Sequence, residues 1–252
     1  MKRKYKTSFL TKVIAQVDFT TKIEISKNGL SESATKAILK AFPIPEVQER
    51  IKKSVEISNK GTKETIDNQV FLFYYGLNKD KTILLTPEFA SLEVKLYDTF
   101  EKFKTDFFLL LDVIEKEKEC STKRFGLRYI NQIVFDEKNP LNWSSYINKE
   151  LISPINILHD KKYITRVFSN IIQQFDDDMM LNFHFGMHNP DFPSRIKKKS
   201  FVLDYDAYYQ GLMENQEIKN LIDTSHERIE DLFENSIKES LRQKMGVTEN
   251  ES

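Results

Sequence analysis

Glycine is scarce in this chain of 252 residues, and the scarcity excludes whole classes of chemistry. The seven glycines are Gly29, Gly61, Gly76, Gly126, Gly186, Gly211 and Gly246, and no two lie within ten residues of each other. A phosphate-cradling P-loop needs two glycines five apart ahead of a lysine. A dinucleotide-binding turn needs three within six residues. A nucleophile elbow needs Gly-x-Ser-x-Gly. None can be assembled, so the common nucleotide-binding and hydrolase signatures are excluded. Cysteine is nearly absent too. Cys120 is the only one, so no internal disulfide can form, which fits a reducing compartment. Long apolar runs are missing: the most apolar stretch, Phe107 to Leu111, is far too short to span a bilayer. The basic start Met1 to Lys6 is not followed by a signal-type apolar run, because Lys12, Gln16 and Asp18 interrupt it. These absences predict a cytoplasmic protein with no membrane partner.

Net charge is absent as well, with 38 basic residues against 38 acidic, so there is no general pull toward nucleic acid or membrane. The balance hides an asymmetry. Residues 1–60 carry 13 Lys/Arg against 6 Asp/Glu, and residues 212–252 carry 5 against 10. The basic residues are spread rather than clustered, which describes a solvated surface better than a face for an anionic partner.

Apolar side chains, by contrast, are plentiful. Hydrophobic residues reach 40% and aromatics 12%, with 19 Phe, enough for one large domain or two small ones. Val13 to Phe19 reads as a strand, continued through Ile23 to Ile25, and Asn28-Gly29 as a turn. Ser31 to Phe42 reads as a helix with Ser31 or Ser33 as N-cap, ended by Pro43 and Pro45. Val47, Ile51 and Val55, four apart, suggest a second short helix over residues 46–55. The polar run 58–68 reads as a loop and the apolar run Val70 to Tyr75 as a buried strand. Residues 82–86 and 89–94 extend the strand series. Phe100, Phe103, Phe107, Leu110 and Ile114 make Leu96 to Glu117 a helix, and the Glu/Lys run 115–119 ends it. Lys123 to Phe135 is a central strand. Residues 164–175, 179–188 and 200–208 read as three more strands, and 216–245 as one long amphipathic helix stopped by Gly246.

This order predicts an α+β protein. A ferredoxin-like β-α-β-β-α-β half occupies residues 1–138, an irregular connection 139–163, and a three-stranded antiparallel meander with a long C-terminal helix 164–252.

Candidate chemistry is sparse. His184 and His188 have the spacing of a helical zinc pair, but their segment alternates like a strand, on which residues four apart are roughly 13 Å distant. No cysteine pair completes a zinc site, so no metal site is assigned, and no cofactor class follows. If the strands of 179–188 and 200–208 pair, His184, Asp204 and Asp206 share a polar face, a set suited to acid/base or divalent-metal work and equally to a solvated sheet surface. On the central strand Arg124, Arg128 and Asn131 are candidate ligand-binding residues. Arg128 sits among apolar neighbours, where a guanidinium needs a partner: an anionic ligand, or a carboxylate such as Glu93. Phe71, Phe73 and Tyr75, with Tyr129 nearby, could stack RNA bases, although Gly126-Leu-Arg-Tyr129 only echoes an RNP motif.

The segment Arg124-Phe-Gly-Leu-Arg-Tyr-Ile-Asn-Gln-Ile133 resembles the R-x-G-L-R-Y-x-N-x-I signature of a sporadically distributed, uncharacterised bacterial family of similar length. The opening strand, the aromatic helix, Leu203-Asp-Tyr-Asp206 and the closing helix with Phe233 and Ile237 agree with it. The Lys-, Asn- and Ile-rich composition is similar to that of lactococcal abortive-infection proteins. The resemblance implies no catalytic residues. It implies phage defence, with the chain as a non-catalytic sensor or interaction module for a protein or phage component. An RNA-directed nuclease using His184, Asp204 and Asp206, and an RNA-binding module, are the alternatives.

Overall fold

A computed structural model describes residues 4–27, 29–59, 61–117 and 121–248. Cys120, Asn28 of the expected turn, the basic residues 1–3 and the end of the 115–119 charge run lie outside them. In chain order the strands are β1 (Lys4–Tyr5), β2 (Leu10–Phe19), β3 (Ile44–Ser58), β4 (Gly61–Tyr75), β5 (Lys81–Leu85), β6 (Phe89–Val94), β7 (Thr122–Phe135), β8 (Ser169–Gln174), β9 (Met180–Met187), β10 (Lys199–Met213) and β11 (Val247–Thr248). The helices are α1 (Glu32–Leu39), α2 (Phe100–Glu117), α3 (Lys149–Ile152), α4 (Asn215–Ser236) and α5 (Glu239–Met245).

The ferredoxin-like half and the separate meander are not what forms. Nine strands join one antiparallel sheet in the order β3-β4-β5-β6-β2-β7-β10-β9-β8, and β1 pairs with β11 apart from it. Two local misreadings produce the difference. Val47, Ile51 and Val55 share a helix face at a spacing of four, but four is also an even number, so they share a strand face equally well. The polar run after Gly61 is strand rather than loop, because each of its residues pairs with β3 from Ser58↔Gly61 to Ile44↔Tyr75. A four-strand β3-β4-β5-β6 meander thus replaces the expected helix and loop. Residues 23–25 form no strand, strand pairing in 164–175 starts only at Ser169, and β10 runs on to Met213.

The chain divides into two compact units, Ile14–Gly126 with Tyr209–Ile222, and Met1–Val13 with Leu127–Tyr208 and Asp223–Ser252. Strands β2, β7 and β10 contribute residues to both. In the first unit α1 starts where the Ser31 side chain accepts a hydrogen bond from the Ala34 backbone N–H at 3.3 Å. Ile38 and Phe42 from this segment are fully buried, as are Leu72, Ile83 and Leu92 from the strands and Phe107 and Leu110 from α2. Phe107 packs on Phe125 with ring centroids 5.8 Å apart.

The second unit is built around Trp143, Phe201 and Tyr205, all fully buried. Trp143 packs on Phe201 at 5.3 Å and donates its indole N–H to the Pro140 carbonyl at 3.0 Å. Phe183 stacks on Tyr205 across β9 and β10, at 4.7 Å and an interplanar angle of 6°. The expected single C-terminal helix is two helices. Between them Ile237 bridges to Ile147, the Asn148 N–H donates to Ser236 O and the Lys238 N–H to Tyr146 O, so tertiary backbone bonds replace a helical turn. Gly246 ends α5 with φ 69°, a left-handed conformation that glycine adopts without cost. Among the described residues no helix is long and apolar enough to cross a membrane.

Candidate functional site

The site lies in the second unit, where β7, β10, β9 and β8 lie side by side. Registers fix its geometry. Asp204 of β10 stands opposite His184 of β9, and Asp206 opposite Asn182. Asn170 of β8 stands opposite His184 from the other side. Side chains two apart share a strand face, so these polar residues form one row structure on the face away from the Phe183 and Tyr205 core.

Arg128 settles onto this face. Its Nε donates to Asp204 Oδ1 at 2.8 Å and its Nη2 to Oδ2 at 2.6 Å, a bidentate fork. The Asp204 side chain is 11% exposed and that of Arg128 41%, so the carboxylate is buried while one edge of the guanidinium meets solvent. The hydrogen bond to Asp204, opposed by burial and helped by the charges of Asp204 and Asp206, raises the Arg128 pKa further above its ordinary value. The partner is therefore Asp204 and not Glu93.

The other expected residues separate. Asn131 is buried, and its amide donates at 3.5 Å to the Leu203 carbonyl on β10, a structural bond. Arg124 belongs to the first unit and drapes along its own strand: a Cβ added at Gly126 would stand 2.9 Å from its Nη1. Asp206 shares the Asp204 face one pair further along β10. Tyr129 is no stacking platform, because its hydroxyl is buried 2.9 Å from His226 Nδ1. Phe73 and Tyr75 do stack, with centroids 6.0 Å apart, in the first unit.

Beside the Arg128–Asp204 pair a cleft of about 410 Å³ opens, lined by Arg166, Phe168, His184, Gly186, His188 and Val202 among others. Gly186 is what lets it form. The 166–168 segment lies directly on β9 there, and a Cβ at Gly186 would meet the Val167 carbonyl oxygen at 2.1 Å. Phe168 is thereby laid over His184, with ring centroids 5.4 Å apart. Two polar atoms on this face of β9, His184 Nδ1 and Asn182 Oδ1, are buried with no hydrogen-bond partner among the described residues. Such atoms ordinarily find water or a ligand.

The loops at the cleft mouth were not singled out from the sequence. Residues 159–168 and 188–199 carry Lys161, Lys162, Arg166, Arg195, Lys197 and Lys198, and of these only Lys198 has an ion pair among the described residues, to Asp191 at 4.0 Å. Tyr163, Phe168 and Phe192 are exposed between them. Arg166 lies over the Phe192 ring at 4.2 Å and Arg195 over Tyr163 at 4.4 Å. Lys199 is different: it is buried on Glu137 at 2.6 Å and supports Trp143. The signal was available as cations interleaved with aromatics, but the two loops are some thirty residues apart in sequence.

Both Asp204 oxygens are engaged by Arg128, and among the described residues no group of three or more His, Cys, Asp or Glu side chains could hold a metal ion. No protein-family model matches the chain, and no curated protein matches it.

Proposed function

We propose that the protein is a binding module for a single-stranded polyanion carrying aromatic bases, RNA being the natural member of that class, and that the cleft of the second unit is its site. One observation carries the reading: five exposed cations and the half-buried Lys161 lie with three exposed aromatic rings on the two loops that reach a cleft lined by His184, whose Nδ1 is buried with no hydrogen-bond partner among the described residues. Cations track a phosphate backbone, and aromatic faces accept bases whatever their identity. The unpartnered His184 nitrogen in the lining matches the edge of a base inserted beside Phe168. The test is fluorescence polarisation of labelled RNA and DNA oligonucleotides, single- and double-stranded, at several salt concentrations. Single-stranded RNA binding that falls with salt and is lost in Arg166→Ala/Arg195→Ala supports the reading. No retention at low salt removes it.

A role in phage defence is a second reading, which rests on the resemblance of the Arg124 to Ile133 segment. Arg128 and Asn131 both reach β10, at Asp204 and Leu203, so two of the segments that carry the resemblance are joined to each other. We read the signature residues accordingly as scaffold, in keeping with a sensor or interaction module. Phage plating on a host with the intact gene, compared with one carrying the double arginine variant, tests it. Equal plaque counts in the presence and absence of the gene, across a phage panel, would discard it.

A further inference from the structure

We propose that Asn189 is the positioning residue of the RNA site: its buried amide fastens loop 159–168 to loop 188–199 before any ligand arrives. The inference rests on the reading of the cleft as a polyanion site, and it adds a residue that acts through others. Asn189 lies two residues past the end of β9 and is 3% exposed. Its Nδ2 donates to the Thr165 carbonyl at 2.8 Å and to the Ser194 carbonyl at 2.7 Å, one bond to each loop. Its Oδ1 accepts from the Asp191 backbone N–H at 3.1 Å. An amide offers two protons and one carbonyl oxygen, so both ends are engaged. It can face only one way, because turned over its oxygen would meet two carbonyl oxygens.

The rest of the seam follows the same line. The Ile196 N–H donates to the Ile164 carbonyl at 3.1 Å, and both side chains are buried. The exposed side chains then cross over. Arg166 of the first loop lies over Phe192 of the second, and Arg195 of the second lies over Tyr163 of the first. Such exposed contacts are individually weak, so they follow the backbone arrangement rather than fix it. The amide is what cannot be removed quietly. Without it the Thr165 and Ser194 carbonyls lose their partner inside the seam, and the loops must part until water reaches them. RNA would then have to order the arginines and rings itself, and ordering rotamer-rich side chains on association weakens binding.

The test is a double-mutant cycle on the full chain, read by fluorescence polarisation of a labelled oligouridine of about 12 nucleotides. Asn189→Ala should weaken binding about tenfold, the size of ordering two or three long side chains. In an Arg195→Ala background the same substitution should cost about threefold or less, because an arginine that it positions is gone. A residue serving stability alone would give equal factors in both backgrounds. Emission from the buried Trp143 shows whether each variant is folded. Hydrogen exchange of the unsubstituted chain gives a reading that needs no variant: the Ile196 and Asp191 N–H groups should be protected before RNA is added. Undiminished affinity in Asn189→Ala, equal factors, or amides protected only once RNA is present would each overturn the positioning role and leave the RNA site standing. An unsubstituted chain that retains no oligonucleotide at low salt would remove the site and this inference together.

Discussion

Replacing Arg128 by alanine strips a buried carboxylate of both its charged hydrogen bonds, and the cost can be worked from the geometry. Removing one member of a fully buried pair costs about 3–5 kcal/mol, because the remaining charge is left unpaired. Here the Asp204 side chain is 11% exposed but that of Arg128 is 41%, so water screens part of the interaction. About 2 kcal/mol is a reasonable expectation, and in a chain of this size it lowers the thermal midpoint by about 4–8 °C. The double variant Arg128→Ala/Asp204→Ala should be less destabilised than the sum of the singles by about 1 kcal/mol or more, since the orphaned charge is gone as well. Trp143 makes the assay specific. It is the only tryptophan and is buried in the second unit, so its emission reports the unit that holds the pair. A midpoint lowered by less than about 1 °C would refute the reasoning, as would strict additivity in the cycle.

Gly186→Ala places a Cβ against the backbone oxygen of Val167, where no side chain can yield, and should cost about 1–3 kcal/mol while displacing Phe168; thermal unfolding and oligonucleotide titration of the variant check both effects. Arg166→Ala should weaken RNA binding to a similar extent for every sequence and flatten the salt dependence by about one unit, read from polarisation at several salt concentrations. Hydrogen bonds from Lys199 and Tyr146 hold the Glu137 carboxyl below its ordinary value, and a hydrogen bond from Arg228 does the same for Asp177. A lowered folded pKa means the stabilisation is complete above the ordinary carboxylate range and is lost as pH falls through the folded value. The unfolding midpoint should therefore drop between about pH 5 and 3, and Glu137→Gln should flatten that acid limb, as a midpoint series across this range would reveal.

How far the elements were legible depended on what holds each one. Helix α1 announced itself through Ser31 and the residues after it, because a cap is a contact between near neighbours. Gly246 ended α5 for the same local reason. Strand β3 misled because a spacing of four suits both periods, and nothing within residues 46–55 states that β4 lies alongside. The break between α4 and α5 was invisible: it is made by Ile147, Tyr146 and Asn148, some ninety residues away.

The site divides the same way. From alternation alone His184, Asp204 and Asp206 were expected on one face, with Arg128 as the residue in need of a partner. Residue type and strand period suffice for that much, because a charged group inside a sheet must be neutralised wherever the sheet goes. Which carboxylate answers Arg128, that Arg124 sits in another unit, and that loops 159–168 and 188–199 meet over a cleft opened by Gly186 were decided only by tertiary structure. Strand order and register bring together residues far apart in the chain, and no local periodicity encodes either.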